Sequence, residues 1–233
     1  MSFSRRVIFI LIAVFLAHFV ITSWAAKPPI LIRDAEVENT IRSYATPLFR
    51  AAGLNNQDIK IYIVKDETLN AFVAGGQNIF INTGLILNAD NANQIIGVIA
   101  HETGHIASRH LSRTHDALAK RSAASVLSLI LGGAAVLATG RGDIGTAIIS
   151  GGQTAALRNF LAYSRVQEAA ADHAAFKYLD QTKQSARGML GFMEKLGDQD
   201  LLSPVQQDPY VRSHPLTRER LDTIAHHVAD SPH

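Results

Sequence analysis

Two histidines four residues apart, with a glutamate directly after the first, form the most informative pattern in the sequence. His101 and His105 lie in an apolar-periodic segment that predicts a helix from Asn91 to about Lys120. A spacing of four places both imidazoles on one helix face, where they can bind one metal ion. Glu102 is rotated by about 100° from His101 and lies beside that ion, where its carboxylate can accept a proton from water.

The expected third metal ligand lies well downstream. Neutral imidazoles and a carboxylate suit Zn²⁺, and a catalytic zinc site uses three protein ligands. Glu168 and Asp172 are four residues apart on an alanine-rich helix that offers few other polar groups. We expect Glu168 to complete a single zinc site with His101 and His105, and Asp172 to accept the N–H of a ligand histidine.

The residues after His105 exclude another class of zinc peptidase, the metzincins. A metzincin requires glycine and a third histidine at positions where this chain has Ser108 and Leu111. On the predicted helix, His110 and His115 lie on other faces than His101 and His105. We interpret His110 and His115 as packing or surface residues.

Four segments together resemble a known family. They are NAFVAGGQNIFINTGLI (70–86), HETGH (101–105), SRVQEAAAD (164–172) and SHPLTRER (213–220). Their order is similar to that of the HtpX/BepA/Oma-type zinc metallopeptidases, relatives of the CAAX prenyl proteases. The resemblance covers about residues 34–228. It implies one zinc ion per chain, held by His101, His105 and Glu168, with Glu102 as the general base.

The resemblance also assigns roles to residues outside the HETGH motif. Asp172 matches an aspartate that orients a zinc ligand. His214 matches a histidine that approaches the zinc, where it either stabilises the tetrahedral oxyanion or caps the metal in a latent state. Arg220 matches an arginine near the ligand carboxylate.

The segments around these motifs predict an α+β fold, a mostly helical zincin-like domain with a small sheet beside the HETGH helix. A helix is predicted from Asp34 to Ala52, with strands at 59–64, 71–73 and 78–82 and the last two strands forming a hairpin. Further helices are predicted at 157–179, at 185–196 and from about residue 216, with an irregular stretch at 203–214. An extended substrate is expected to pair with the strand formed by Asn78, Ile79, Phe80, Ile81 and Asn82.

An apolar helical hairpin is predicted at residues 123–156. Its arms, Ala123–Ala138 and Ile144–Ala156, are joined by a polar turn, and each is shorter than a bilayer span. The favoured interpretation is a hairpin that is buried or covers the substrate groove. Shallow insertion into a membrane surface is the alternative.

Residues 1–26 have the features of an export segment. Arg5 and Arg6 precede the apolar run Val7–Thr22, and Ser23 and Ala25 fit a signal-peptidase site with cleavage after Ala25. An uncleaved membrane anchor is the alternative, because the run is long enough to span a bilayer. Both alternatives place residues 27–233, predicted to be the metallopeptidase domain, in the periplasm.

The composition argues against several classes of partner and excludes several kinds of chemistry. The net charge of +2 belongs to the export segment, because residues 27–233 contain 20 basic and 20 acidic residues. A balanced domain without a basic cluster makes nucleic acid an unexpected partner. The chain contains no cysteine, which excludes disulfides, cysteine nucleophiles and thiolate zinc ligands.

These observations predict a zinc-dependent metalloendopeptidase that hydrolyses unfolded or damaged envelope proteins. A different class remains open, a chaperone or assembly factor whose zinc site is latent and capped by His214. A peptidase acting on a small peptide or a prenylated tail is a third alternative. Membrane association is expected through the N-terminal segment or the 123–156 hairpin.

Overall fold

The computed structural model describes residues 29–197, 206–207 and 209–233, so the predicted export segment lies outside the described residues. The strands are β1 (Leu31–Ile32), β2 (Lys60–Val64), β3 (Ala71–Ala74) and β4 (Asn78–Asn82). The helices are α1 (Ala35–Ala51), α2 (Thr83–Asn88), α3 (Ala92–Ala107), α4 (His110–Thr139), α5 (Gly142–Gln181), α6 (Arg187–Leu196), α7 (Pro209–Ser213) and α8 (Arg218–Asp230). The predicted α+β class, mostly helical with a small sheet, is confirmed.

The strands form one mixed sheet in the order β1-β2-β4-β3. β4 runs parallel to β2 on one side and antiparallel to β3 on the other, so both of its backbone edges are paired. The prediction that Asn78–Asn82 pairs with an extended substrate is therefore wrong, because its N–H and C=O groups already bond to neighbouring strands. β3 is the strand at that end of the sheet.

Helix α3 runs through the core and packs against the sheet and against α1, α5 and α6. Its N-terminus is capped by the Asn91 side chain, which accepts a hydrogen bond from the backbone N–H of Gln94. Core residues around it come from most elements and include Leu48, Phe49, Ile79, Ile81, Leu179 and Met189. The HETGH segment is thus held on a helix that is buried on nearly every face.

The predicted helix from Asn91 to Lys120 is two helices in the structure. α3 ends at Ala107, and Arg109 adopts a left-handed conformation with φ of 53° before α4 begins at His110. A non-glycine residue in this conformation is uncommon and carries strain, which the surrounding packing must overcome. The apolar periodicity continues across the break, so the sequence pattern alone does not reveal it.

The apolar hairpin consists of α4 and the first half of α5, and its apex is not buried. α5 is continuous, so the predicted helices at 144–156 and 157–179 are a single element. The large aliphatic residues of the hairpin face outward, among them Leu127 and Ile130. The interpretation of a buried hairpin is therefore wrong for its apex, and the residues of α4 and α5 that line the cleft described below, such as Leu111 and Phe160, lie outside 123–156.

Two glycines allow α3 and α6 to pack backbone to backbone. A Cβ at Gly97 would lie 2.6 Å from the Met189 nitrogen, and a Cβ at Gly188 would overlap the carbonyl group of Asn93. Any side chain at either position would force the two helices apart.

Gly188→Ala is expected to lower the free energy of unfolding by about 2 kcal/mol, because the added methyl group meets backbone that cannot move independently. Gly133→Ala is the matched control, since a Cβ at that helical glycine meets nothing within 4 Å. The control should raise stability by about 0.5–1 kcal/mol through helix propensity. Urea unfolding followed by circular dichroism measures both effects, and equal effects would contradict the packing argument.

Candidate metal centre

The two imidazoles of the HETGH segment can come close to α5 because the segment contains Gly104. A Cβ at Gly104 would lie 2.7 Å from the carbonyl oxygen of Ala171, so α3 and α5 approach to backbone contact there. This approach brings Glu168, on the preceding turn of α5, against His101 and His105. The glycine in the motif thus sets the distance between the two helices that carry the predicted ligands.

Three predicted ligands converge on one point. His101 Nε2 lies 3.0 Å from His105 Nε2 and 3.3 Å from Glu168 Oε2, and His105 Nε2 lies 3.4 Å from Glu168 Oε1. Ligand atoms about 2 Å from a tetrahedral zinc ion are roughly 3.3 Å from one another. The donor atoms are therefore spaced as a tetrahedral zinc ion requires, and the donor types suit zinc.

His214 approaches the same point from the loop before α8. Its Nδ1 lies 3.2 Å from Glu168 Oε2 and 3.3 Å from His101 Nε2. The ligand atoms of His101, His105, Glu168 and His214 all lie within 4.8 Å of one another. Among the described residues these four side chains form the group that could hold a metal ion.

Asp172 and Arg220 support His101 on the side of the imidazole ring that faces away from the metal position. Arg220 donates from Nε and Nη2 to the two carboxylate oxygens of Asp172, at 2.7 and 2.8 Å. Asp172 Oδ1 also lies 2.8 Å from His101 Nδ1. This contact favours the tautomer with the proton on Nδ1, which leaves the Nε2 lone pair directed at the metal position.

Arg220 also joins the site to the loop that carries His214. Its Nη1 donates to the carbonyl oxygen of Pro215 at 2.8 Å and lies 3.1 Å from Glu168 Oε2. Thr217 caps α8 by accepting from the Arg220 backbone N–H, which places the guanidinium at the start of the helix. One buried side chain therefore positions a ligand carboxylate, the carboxylate behind His101 and the His214 loop.

His110 lies at the site, so the prediction that it is on another face than His105 is wrong. It is buried, and its Nδ1 lies 2.9 Å from His105 Nδ1. Because His105 Nε2 faces Glu168, the proton of a metal-binding His105 must reside on Nδ1, and His110 can accept it. The helix break at Arg109 turns His110 toward the site, and a histidine five residues after His105 is the one sequence signal of this contact.

The electrostatics of the cluster favour cation binding. Burial lowers the pKa of His101, but Asp172 and Glu168 outweigh this effect and raise the pKa to about 9. Burial would raise the pKa of Glu168, but His214 and His101 hold it well below its ordinary value. The pKa of His105 is lowered by burial and by the charge on His101. A divalent cation would displace the proton from His101 and interact with the same carboxylates.

Glu102 lies beside the ligand cluster without joining it. Its Oε1 is 3.4 Å from His214 Nε2, and neither carboxylate oxygen accepts a hydrogen bond from the described residues. Burial raises its pKa, with His214 and His101 opposing this shift. An unbonded, buried carboxylate with a raised pKa is suited to accept and return a proton.

A cleft of about 280 Å³ opens onto the cluster. Its walls come from β3, from the base of the hairpin and from the loop before α8, and they include Phe72, Val73, Glu102, His105, Phe160, Tyr163, Arg212 and His214. β3 therefore lies at the cleft, where the predicted substrate strand Asn78–Asn82 does not. The seven predicted catalytic, ligand and supporting residues form one cluster, of which Glu102, His105, Glu168 and His214 line the cleft, whereas His101, Asp172 and Arg220 do not.

Replacing His110 by alanine is expected to weaken zinc binding about tenfold, because His105 loses the group that fixes its ring and its tautomer. His115→Ala is the matched control, since His115 is an exposed histidine on the same helix. Competition with a chromogenic chelator measures zinc affinity in both variants. Equal affinities would show that the His105–His110 contact does not support the site.

Comparison with known sequences agrees with this geometry. A model of Peptidase family M48 matches residues 32–228. The β-barrel assembly-enhancing protease of Yersinia pestis is 25% identical over 207 residues, which are 88% of this chain and 42% of that protein. In Escherichia coli K12, metalloprotease LoiP is 27% identical over 209 residues (88% of this chain, 74% of LoiP), and metalloprotease YcaL is 29% identical over 172 residues (73% and 61%).

The chain spans about two fifths of the length of the β-barrel assembly-enhancing proteases that it matches. The family model, in contrast, covers most of the chain, including all four segments on which the resemblance rested. The protein belongs to peptidase family M48, whose members are zinc metallopeptidases.

Proposed function

We propose that the protein is a zinc-dependent metalloendopeptidase that hydrolyses peptide bonds of unfolded or damaged envelope proteins. The observation that carries the proposal is the position of Glu102, a buried carboxylate without a hydrogen-bond partner among the described residues. It lies next to His101, His105 and Glu168 at zinc-ligand spacing. A purely structural zinc site has no use for such a base.

Each residue of the site has a separate role in the hydrolysis of the peptide bond. Bound zinc would polarise the scissile carbonyl and make an attacking water more acidic. Glu102 accepts the proton of the attacking water and transfers it to the leaving amine nitrogen. His214, which lines the cleft, can donate a hydrogen bond to the oxygen on which negative charge develops. Asp172 and Arg220 keep His101 in the productive orientation throughout.

The outer edge of β3 supports binding of an extended peptide. The N–H of Asn82 bonds to the carbonyl of Asn70, and hydrogen-bonded pairs alternate along an antiparallel ladder. Ala71 and Val73 therefore both face away from β4, but Ala71 is fully buried, which leaves the N–H and C=O groups of Val73 for a substrate. A substrate pairing with these groups gains affinity from its backbone and little selectivity from its side chains, which suits unfolded proteins.

The cellular setting is part of the proposal. An export segment at residues 1–26 would place the domain in the periplasm, either released or membrane-anchored. The names of the assembly-enhancing proteases connect those proteins with β-barrel assembly, which supports envelope proteins as the substrate class here.

Glu102→Gln is expected to reduce the hydrolysis of an unfolded, fluorescently labelled protein by at least about 100-fold, because the amide cannot accept the proton. Bound zinc should be unchanged, since Glu102 is not in the ligand cluster. Glu194→Gln, at an exposed glutamate of α6, is the matched control and should keep full activity. Equal cleavage by the wild type and Glu102→Gln would contradict the proposed role of Glu102, and a wild type that binds no zinc would contradict the function.

A second candidate function is favoured by the position of His214. With four donors within 4.8 Å of one another, His214 can complete a closed four-ligand site. The protein would then be a chaperone or assembly factor whose zinc site is latent and capped by His214. His214→Ala separates the two: loss of cleavage supports His214 as the oxyanion donor, whereas increased cleavage supports the latent, capped state.

Val73→Pro is expected to raise KM for an unfolded substrate about five- to tenfold, because it removes one hydrogen bond to the substrate backbone. Proline is tolerated at an edge strand when its nitrogen faces away from the ladder. Val73→Ala is the matched control, since it shortens the side chain but keeps the N–H. Steady-state kinetics measure both variants, and a KM raised equally by alanine and proline would point to the side chain instead of the backbone.

A further inference from the structure

The α4–α5 hairpin has the reverse of the arrangement expected for a helix pair in water. Small residues let the two helices approach closely: a Cβ at Gly132 would lie 2.7 Å from the carbonyl oxygen of Gly145, and one at Gly152 would overlap the Ser128 side chain. The side chains of Ile149 and Val136 fill the spaces beside Gly132 and Gly145. Soluble helix pairs place large apolar residues between the helices. Close contact through glycine and serine, with most of the large residues outside, is typical of helices packed in lipid.

Large aliphatic residues cover the outer surface of α4 in the hairpin, whereas α5 also exposes Ser150, Gln153 and Thr154 there. The aliphatic residues of α4 form one continuous patch, within which Ile130 is 62% exposed, and the patch comprises Val126, Leu127, Leu129, Ile130 and Leu131. Ile148 adds to the exposed apolar surface on α5. A segment within His110–Val136 is long and apolar enough to cross a membrane, and little of it is buried. An exposed apolar patch of this kind indicates an interaction with an apolar partner.

The apex of the hairpin also carries few groups that require hydration. No charged residue lies between Arg121 and Arg141, or between Asp143 and Arg158. The hydroxyl groups of Ser128, Thr139 and Thr146 donate to carbonyl oxygens of their own helices. In the turn, Arg141 Nη2 lies 2.6 Å from Asp143 Oδ2, and this pairing lowers the cost of removing both charges from water.

Positive charge begins where the apolar surface ends. Lys120 and Arg121 on α4 and Arg158 on α5 are exposed at this level, and Asp116 is the one acidic residue in 110–121 and 158–167. A cavity of about 500 Å³ between the helices is lined by Arg113, Asp116, Lys120 and Arg121. Basic residues directly behind an apolar surface match the anionic headgroups of a lipid bilayer.

We propose that residues 122–157 insert into a lipid bilayer and that Lys120, Arg121 and Arg158 contact anionic headgroups at its surface. The partner is a membrane and not a second protein. The apolar apex is followed by the basic residues Lys120, Arg121 and Arg158, and the two helices pack through small residues as helices in lipid do. The inference rests on the hairpin alone and does not depend on peptidase activity. It would hold the cleft, which lies at the base of the hairpin, close to the membrane surface.

The absence of cysteine makes a site-specific test possible in the full chain. An environment-sensitive fluorophore is attached to the single cysteine of Ile130→Cys, which lies within the patch. Leu87→Cys, at another exposed apolar residue, is labelled in the same way as the matched control. Each labelled protein is mixed with vesicles of phosphatidylcholine alone or with phosphatidylglycerol added. Spectral shift and protection from an aqueous quencher are recorded, and bound zinc serves as the measure of correct folding.

We expect a blue shift and at least about tenfold protection at residue 130 with anionic vesicles, and neither at residue 87. Replacing Lys120, Arg121 and Arg158 by glutamine should remove the preference for phosphatidylglycerol. An N-terminal anchor would bring both labels to the vesicles without moving residue 130 into hydrocarbon. A label at residue 130 that stays accessible with vesicles overturns the proposal. Protection without vesicles, which would indicate a second copy or another part of the chain on the patch, also overturns it.

Discussion

The balance of buried charge is the constraint on which the rest of the structure depends. Glu102, Glu168 and Asp172 are buried together, and Arg220 is the one buried arginine or lysine among the described residues. Three carboxylates against one guanidinium leave two negative charges, which is the charge that a divalent cation neutralises. Without a cation, a proton on His101 supplies part of this compensation, which accounts for its raised pKa. Metal binding and the stability of the core are therefore linked.

The packing of the helices follows from this constraint. α3, α5 and α8 must bring their charged groups within hydrogen-bond distance, and Gly104 and Arg220 are what make the approach possible. Removing one member of such a buried cluster leaves the others uncompensated, so the cluster acts as a unit. The His214 loop and the start of α8 are held through the same guanidinium, so the fold around the cleft and the metal centre form one network.

Local patterns in the sequence predict the chemistry of the site better than they predict its surroundings. The spacings of His101, His105, Glu168 and Asp172 follow from helical periodicity, and the structure brings these residues together. His214 and Arg220 could be named only through family resemblance, because a lone histidine and a lone arginine carry no pattern. The contact of His110 cannot be predicted from periodicity, because the left-handed residue at the helix break is Arg109 and not a glycine that would mark it. Strand order and the exposure of the hairpin depend on tertiary packing, which periodicity does not encode.

The continuity of α5 restricts how the length of this chain can vary. One helix without a break carries the close-packed glycines near its start and the ligand carboxylate Glu168 well over four turns later. Each inserted or deleted residue between Gly152 and Glu168 would rotate one part against the other by about 100°. Changes of about one or two whole turns would preserve both faces, whereas single-residue changes would not. Natural and engineered changes of length should therefore be avoided along this helix unless they add or remove about whole turns.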